Sequence, residues 1–354
     1  MLSSSSPALL REQSGVLHIH LLDRCNLRCD HCYMEAAADR EQSLPLDTVR
    51  GCLAETEALG IRTVFLSGGE PFLYPQFDSV LEAVTGRSFH AVLCTNGTRI
   101  GAPAATAVRL SGASVQVSID GDEGYHDAFR GMKGAFLRTE QGVHELVRAG
   151  VEVSLVTTVC RDNLTMLPWI ARWAAGVGIA RLSVQPLQAL GRGAAIAERR
   201  LTEDEVCGLY LSLSDLAVAY RDRGLRFSLA YRPKEYLLEH PCAAYVCNGE
   251  RCHRGVKKEI KTLIVREDGT VLPEVPTLDP RFALGNVRQG TLVELVQNYF
   301  RYRYADFHEL CRTAFFETVP AWHSPIVPWD EILSARSWTF ELKRRSELCQ
   351  LASC

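Results

Sequence analysis

Short apolar segments alternate with amphipathic segments through the first half of this chain, and this alternation constrains the fold more than any other feature. Six apolar segments have the length expected of buried strands, and they cover residues 16–22, 62–67, 90–95, 114–119, 152–159 and 180–185. The segments between them show helical periodicity. Because strands that alternate with helices form parallel sheets with helical crossovers, the sequence predicts an α/β fold, either a doubly wound open sheet or a partial barrel.

Chemically distinctive residues follow every predicted strand. They occur in DRCNLRCDHCYME (23–35), SGGEP (67–71), TNGT (95–98), SIDGD (118–122), around Cys160, and in QPL (185–187). In parallel sheets, ligands bind at the carboxyl ends of the strands. Residues from six separate segments are therefore predicted to share one rim of the sheet, whereas motifs unrelated to a site would fall on both rims.

The first of these loops holds Cys25, Cys29 and Cys32 within eight residues. A 4Fe–4S cluster normally takes four thiolates, so three thiolates leave one iron open, and an open metal position is where a substrate or cofactor binds. A structural zinc site needs a fourth ligand close by. His31 is the nearest one, but its place directly before Cys32 suits a closed tetrahedral site poorly. The spacing favours a cluster with an open iron over zinc or unrelated buried cysteines.

Composition narrows the function classes. The chain has 354 residues, 47% of them hydrophobic, enough for one large domain and a smaller one. A net charge of −3 without a basic cluster argues against nucleic-acid binding. No run of about 20 apolar residues is present to span a membrane, and no secretory signal precedes the first strand. Thirteen cysteines, an odd number, then indicate metal ligands or free thiols in a reducing, cytoplasmic compartment.

The second half of the chain has a long helix and more loops. Thr202 with Glu205 three residues later predicts a capped helix over 202–222, and Asp268-Gly269 predicts the turn of a hairpin over 261–272. A further helix is predicted over 292–307, and the last forty residues receive no assignment. The expected organisation is a disordered N-terminus, a barrel core and a C-terminal extension, with bounds 1–14, 15–223 and 224–354.

The order of these motifs resembles that of the radical S-adenosylmethionine (AdoMet) enzymes. CNLRCDHC (25–32) fits their Cys-x3-Cys-x2-Cys signature, SGGEP resembles their second signature, and SIDG followed by FRG is typical of the branch that modifies peptides and cofactors. The resemblance covers about residues 15–190, and with it we expect a partial (β/α)6 parallel barrel with a smaller, loop-rich, cysteine-containing extension. It implies a 4Fe–4S cluster on the three cysteines. The open iron would chelate AdoMet, whose reductive cleavage gives a 5′-deoxyadenosyl radical that abstracts hydrogen from a C–H bond.

The resemblance also implies contacts to AdoMet from several strand-end loops. Glu70 would accept from the ammonium group of the ligand, and Arg130 would pair with its carboxylate. The expected cofactor-binding residues are His31, Tyr33, Gly68, Gly69, Glu70, Asn96, Ser118, Asp120, Arg130 and Gln185. Simpler interpretations stay open for several of them: a strand-to-helix turn with a solvent-exposed Glu70, a plain turn at Asn96, a surface Arg130, a core Tyr33 and a buried strand-end amide at Gln185.

Two further residues near these loops have less specific interpretations. Cys160 ends the fifth strand and is predicted to face the site, where its thiol is a candidate catalytic donor of a hydrogen atom to a product radical. A small buried hydrophobe is the simpler interpretation of this cysteine. His126 is interpreted as a surface histidine.

A second cysteine group, Cys242, Cys247 and Cys252, lies in a loop-rich segment, and the sequence that follows resembles the SPASM or twitch extension of many radical AdoMet enzymes. That resemblance implies an auxiliary iron–sulfur cluster on these cysteines and one more ligand. The sequence departs from the pattern after the hairpin, where a cysteine is common and Glu274 stands instead. A cluster-free extension and a zinc site that includes His253 are the alternatives.

The activity that the resemblance implies is radical modification of a peptide, such as oxidation, crosslinking or epimerisation of a ribosomal natural-product precursor. The alternative is the same chemistry on a small molecule: a tetrapyrrole side chain, a sugar or an antibiotic intermediate. The expected partners are the substrate and a reductant such as flavodoxin or ferredoxin. About 15 residues precede the first strand, so a peptide substrate would need a separate recognition protein. A non-catalytic iron–sulfur or zinc scaffold is a third interpretation, which the second signature disfavours.

Overall fold

The structure, a computed structural model, describes residues 15–246 and 260–341. The six predicted strands are present within two residues of their predicted bounds, as β1 Val16–His20, β2 Thr63–Ser67, β3 His90–Thr95, β4 Ser114–Ser118, β5 Val153–Val159 and β6 Arg181–Pro186. Each strand pairs in parallel with the next, in the order β1 to β6. The predicted α/β fold, built on the parallel sheet of a partial barrel, is confirmed.

The C-terminal half contributes further strands. They are β7 Arg226–Leu229, β8 Arg232–Pro233, β9 Thr262–Val265, β10 Thr270–Pro273, β11 Gly285–Asn286 and β12 Ile326–Val327. β7 extends the main sheet at one edge and β9, β10 and β11 extend it at the other, whereas β8 and β12 form a separate antiparallel pair. β7 pairs in parallel with β6, and β9 pairs in parallel with β1. The predicted hairpin is confirmed as the antiparallel pair β9 and β10. The parallel pairing of β7 and β9 with the six predicted strands was not predicted, because the pairing of distant segments leaves no local signal in the sequence.

Helices follow the strands along the chain. They are α1 Leu46–Ala54, α2 Phe77–Val84, α3 Ala102–Ser111, α4 Glu123–Arg130, α5 Ala135–Arg148, α6 Leu167–Gly176, α7 Glu203–Ala219, α8 Lys234–Glu239, α9 Leu292–Tyr302, α10 Tyr304–Thr318 and α11 Trp329–Thr339. The predicted cap at Thr202 begins α7, with both hydrogen bonds of the capping box. The helix predicted over 292–307 is two helices that meet at Arg303.

The parallel strands bury one face and leave the other partly open. In β5, Val153 and Leu155 are buried, whereas Ser154 and Val156 are partly exposed. The same alternation occurs in β2, β4 and β6. Because strands of a parallel sheet that is covered on both faces are apolar throughout, the alternation indicates that the second face lines an open barrel interior.

The predicted boundary at residue 223 does not interrupt the main sheet, since β7 and β9 join it from beyond that residue. The segment 1–14, for which disorder was predicted, lies outside the described residues. Among the described helices, none is both long and apolar enough to cross a lipid bilayer.

Gly142 in α5 packs against the loop after β3, and a Cβ at this position would lie 2.3 Å from the carbonyl oxygen of Gly97. We expect Gly142→Ala to lower the free energy of unfolding by about 1–3 kcal/mol, because the added methyl group forces the helix away from the loop. Urea denaturation followed by circular dichroism measures this change.

Gly208→Ala in α7 is the matched control, since nothing lies within 4 Å of its Cβ position. Alanine favours a helix over glycine by about 1 kcal/mol, so this variant should be more stable than the wild type. Two variants that shift stability in the same direction would contradict the close contact at Gly142.

Candidate functional site

The cysteine loop begins after β1 and lies against the loops that follow β3 and α4. The Nδ2 of Asn26 donates to the hydroxyl of Thr98 at 2.8 Å. Cys25 and Cys29 are buried and Cys32 is partly exposed, and all three belong to one small apolar cluster. Burial raises the pKa of Cys25 to about 12 and that of Cys29 to about 11. Metal binding at these thiols would therefore release protons.

The three thiols fit an iron–sulfur cluster better than a single metal ion. Over residues 15–246 and 260–341, no three His, Cys, Asp or Glu side chains converge closely enough to hold one ion, as a zinc site requires. A 4Fe–4S cluster takes one thiolate per iron, so its ligands need not converge on one point. The backbone N–H of Leu27 also donates to the Sγ of Cys25 at 3.4 Å, which favours the thiolate. Cys25, Cys29 and Cys32 are therefore the residues that would hold the cluster.

The glycines of the GGE loop after β2 allow close packing against the cysteine loop. A Cβ at Gly68 would lie 2.3 Å from the carbonyl oxygen of Leu22, and one at Gly69 would lie 2.2 Å from that of Arg24. The backbone N–H of Gly69 donates to Leu22 at 2.7 Å, and that of Glu70 donates to Arg24 at 2.9 Å. The close approach seen at both glycines is thus to the protein's own backbone, and their contact with AdoMet stays a prediction.

Glu70 is fully buried, so its interpretation as a solvent-exposed residue of a turn was wrong, and both of its carboxylate oxygens accept hydrogen bonds. The Thr95 hydroxyl donates at 2.7 Å and the Asn96 backbone N–H at 2.9 Å, while burial raises the pKa of Glu70. Asn96 also accepts from the Thr98 N–H at 2.9 Å, and its Nδ2 lies 3.8 Å from the Sγ of Cys25. Asn96 therefore forms a turn and also contacts a candidate cluster ligand.

Asp120 and Arg130 form a buried ion pair below the cysteine loop. The Nε of Arg130 lies 2.7 Å from Oδ2 of Asp120, and the backbone N–H of Thr158 donates to Oδ1 at 2.9 Å. Although burial opposes ionisation, the guanidinium holds the pKa of Asp120 below its usual value. The interpretation of Arg130 as a surface residue was wrong. In this structure the partner of Arg130 is Asp120, and its predicted contact with a ligand carboxylate stays a prediction.

Two histidines lie close to this ion pair. His126 is fully buried and its Nδ1 accepts from the backbone N–H of Asp120 at 3.3 Å, so its interpretation as a surface histidine was wrong. The helical spacing of α4 turns it inward together with Phe129 and Arg130. His31 stacks on Phe129 with 4.3 Å between ring centroids. Burial lowers the pKa of both histidines to about 4, so both are neutral at pH 7.

Three other predicted contacts lie on the open side of the rim. Tyr33 is 38% exposed, so the core interpretation was wrong, and its hydroxyl lies 3.2 Å from Nε2 of His20. Gln185 is exposed on β6, which excludes a buried strand-end amide. Ser118 is partly exposed at the end of β4. These side chains are open to a ligand, and their contact with AdoMet stays a prediction.

Cys160 lies in a closed apolar pocket at the end of β5. It is fully buried among Phe129, Leu187 and Ile196, and its Sγ lies 3.2 Å from the hydroxyl of Tyr125. These surroundings fit the simpler interpretation of a small buried residue. Its role as a hydrogen-atom donor stays a prediction, and that role would require Tyr125 or Phe129 to move aside.

Two residues that contact the cysteine loop were not singled out from the sequence. The guanidinium of Arg192 donates to the carbonyl oxygen of Cys29 at 2.8 Å, and to that of Ala36 at 2.9 Å. His20, which contacts the loop through Tyr33, also lies 3.7 Å from the carboxylate of Glu267 in the β9–β10 turn. Its place at the end of β1 is a sequence signal from which His20 could have been identified. Arg192 follows Cys29 by 163 positions. The glycine on either side of Arg192 is the one sequence signal from which it could have been identified.

The second cysteine group is described only at Cys242, which is partly exposed, because Cys247 and Cys252 lie outside the described residues. Glu274 is buried, and its carboxylate lies 2.6 Å from the guanidinium of Arg232. The position where the related pattern has a cysteine therefore carries an ion pair. An auxiliary cluster stays a prediction, and it would need a ligand other than residue 274.

We expect Arg130→Met to lower the free energy of unfolding of the protein by about 3–5 kcal/mol, because the Asp120 charge then stays buried without its partner. Adding Asp120→Asn should recover part of this loss, since neither charge remains. Arg148→Met breaks an exposed pair with Glu145 and is the control, with an expected loss of about 1 kcal/mol or less. Urea denaturation without added cofactor measures all three.

The same ion pair predicts that the free energy of unfolding depends on pH. Because the folded pKa of Asp120 is lowered, its stabilising contribution is present above the unfolded pKa of about 3.9 and is lost as the pH falls through the folded value. The stability difference between the wild type and Arg130→Met should be complete at pH 7 and shrink below about pH 4. A difference that stays constant in acid would contradict the ion pair.

Known proteins resemble this chain over its barrel half. The sequence profile of the Radical SAM superfamily matches residues 19–173. Fe-coproporphyrin III synthase of Methanosarcina barkeri is 30% identical over 197 residues, which cover 55% of this chain and 49% of that protein. Mycofactocin maturase MftC of Mycobacterium tuberculosis is 31% identical over 192 residues, or 52% and 48% of the two chains. The matched region spans about half the length of these relatives.

A solved structure resembles a larger part of the chain. Streptococcus suis SuiB bound to S-adenosylmethionine has a TM-score of 0.65 at 15% identity, over 82% of this chain and 68% of SuiB. SuiB has also been solved bound to the precursor peptide SuiA. At this identity the likeness shows the fold alone. The profile match includes the cysteine loop, the GGE loop and the Asp120–Arg130 pair, and the chain therefore contains a domain of the radical SAM superfamily.

Proposed function

We propose that this protein is a radical AdoMet enzyme that holds a 4Fe–4S cluster through Cys25, Cys29 and Cys32 and abstracts hydrogen from a peptide. One observation carries the proposal: three thiols lie together in one loop, and the backbone of that loop packs against the GGE loop. The superfamily match over residues 19–173 supports it. When bound, the cluster supplies the electron that cleaves AdoMet to the 5′-deoxyadenosyl radical.

The residues of the rim would bind and orient AdoMet. A carboxylate offers roughly four lone-pair sites, and Glu70 uses three of them for Thr95, Asn96 and the backbone N–H of Phe72. One site remains for the ammonium group of the ligand. Because Glu70 has no exposure, neighbouring side chains must shift when the ligand enters.

The two register rows nearest the carboxyl ends of the strands favour a peptide over a multiply charged small molecule. Ser118, Val156, Ser183 and Ser228 form one register row across β4 to β7, and Thr158 lies beside Gln185 in the next row toward the carboxyl ends of the strands. The cations Arg181 and Arg226 pair with each other one row further from these ends. Hydroxyl and amide groups both donate and accept hydrogen bonds without charge, as the amides of a peptide backbone do. A carboxylate-rich tetrapyrrole is instead bound best by cations, which these two rows do not contain.

The alternative substrate is a tetrapyrrole side chain. It is favoured by the 30% identity with Fe-coproporphyrin III synthase over the barrel half. Either substrate needs an electron donor such as flavodoxin or ferredoxin. The two substrates differ in charge and size, so they can be told apart by direct assay.

We expect the wild-type protein to bind at least about four irons per chain after anaerobic reconstitution, one for each corner of a 4Fe–4S cluster. The Cys25/Cys29/Cys32→Ala triple variant should lose about four of them. Cys207→Ser, on the partly exposed face of α7, is the control and should keep the full iron content. A wild-type protein without iron would contradict the proposed function.

The iron that remains in the triple variant reports on the second cysteine group. About four remaining irons would assign an auxiliary cluster to the extension, and none would assign a single cluster to the protein.

The substrate class is tested by AdoMet cleavage in the dithionite-reduced protein. We expect iron coproporphyrin III to leave the rate of 5′-deoxyadenosine formation unchanged, because the two rows nearest the carboxyl ends of the strands lack cations for its carboxylates. The triple cysteine variant is the background control. Faster cleavage together with a change in the mass of the porphyrin would reject the peptide proposal in favour of the tetrapyrrole.

A further inference from the structure

Arg192 binds the cysteine loop at three points. Its Nε donates to the carbonyl oxygen of Cys29 at 2.8 Å, and its Nη2 donates to that of Ala36 at 2.9 Å. Its backbone N–H donates to the carbonyl oxygen of Cys32 at 3.0 Å. These bonds span residues 29–36 and include the backbone of two of the three proposed cluster ligands.

The glycine before Arg192 lets the main chain come this close. A Cβ at Gly191 would lie 2.5 Å from the carbonyl oxygen of Tyr33 and 2.6 Å from that of Cys32. Gly191 also has a φ of 54°, in the left-handed region that favours glycine. Gly193 allows a close contact within its own segment, since a Cβ there would lie 2.5 Å from the carbonyl oxygen of Gln188. The Gly-Arg-Gly sequence therefore brings one guanidinium into the loop.

We propose that Arg192 is a positioning residue for the cluster: it fixes the loop conformation in which Cys29 and Cys32 ligate, and it places a positive charge beside them. The proposal rests on the proposed function, because it assumes that this loop holds the cluster. The forked geometry of the guanidinium reaches two carbonyl oxygens at once, which the single ammonium group of a lysine does not reproduce.

The charge of Arg192 is available to the thiolates. Arg130 also lies near Cys29, but it is paired with Asp120. The guanidinium of Arg192 binds neutral carbonyl groups, so its charge is not cancelled by these partners. A positive charge near an iron–sulfur cluster favours the reduced state, because net charge and hydrogen bonding set the reduction potential.

The variants are Arg192→Gln, which removes the charge, and Arg192→Lys, which keeps it without the fork. Arg199→Gln is the matched control, because Arg199 ends the same short helix, Gly191–Arg199, and pairs with Asp162 at 3.3 Å.

The first measurement is hydrogen exchange over residues 23–37 in the protein without iron. We expect faster exchange in both Arg192 variants and wild-type exchange in the control. Unchanged exchange in Arg192→Gln would overturn the positioning role.

The second measurement is the midpoint potential of the reconstituted protein, followed by electron paramagnetic resonance. We expect Arg192→Gln to weaken one-electron reduction about tenfold, which is about 59 mV more negative. Arg192→Lys should bind less iron but keep the wild-type potential, a separation that a purely structural residue would not give. A wild-type potential in Arg192→Gln would overturn the charge effect. A wild-type protein without iron would reject the proposed function, while hydrogen exchange would still report on the loop.

Discussion

The buried pair of Asp120 and Arg130 is the interaction on which the rest of the rim depends. It joins the end of β4 to α4, and the backbone N–H of Thr158 ties β5 to the same carboxylate. The carbonyl oxygen of Phe129, next to Arg130, accepts from the backbone N–H of Asp30 in the cysteine loop at 3.0 Å. Because buried charges cost several kcal/mol each unless they are paired, two strands, a helix and the cysteine loop are confined to one arrangement.

Local signals in the sequence were sufficient for the strands, the cap at Thr202 and the order of the motifs, since each depends on neighbours in the chain. Contacts between distant segments were not predictable in this way. No spacing records that β9 lies beside β1, or that Arg192 enters the cysteine loop. At the site, residue types were easier to predict than partners. Asp120 and Arg130 were each assigned to a ligand, whereas the structure pairs them with each other.

The described part of the extension is held by protein contacts that need no metal. Glu274 has a φ of 62°, unusual for a residue other than glycine, and its carboxylate accepts from Arg232 and from the hydroxyl of Tyr245. That hydroxyl in turn accepts from the backbone N–H of Lys261 at 2.9 Å. The network thus joins the chain on both sides of residues 247–259. Any metal bound by Cys247 would add to an anchor that already exists.

The contact between Arg192 and Cys29 also sets an order for assembly. The two residues are separated by 163 positions, and contacts at long sequence separation are slow to form, because closing a long loop removes chain entropy before the contact is made. The thiols leave the ribosome well before the sixth strand and the segment that holds their loop. The contacts by which Arg192 holds the cysteine loop can therefore form only after the first six strands have been made.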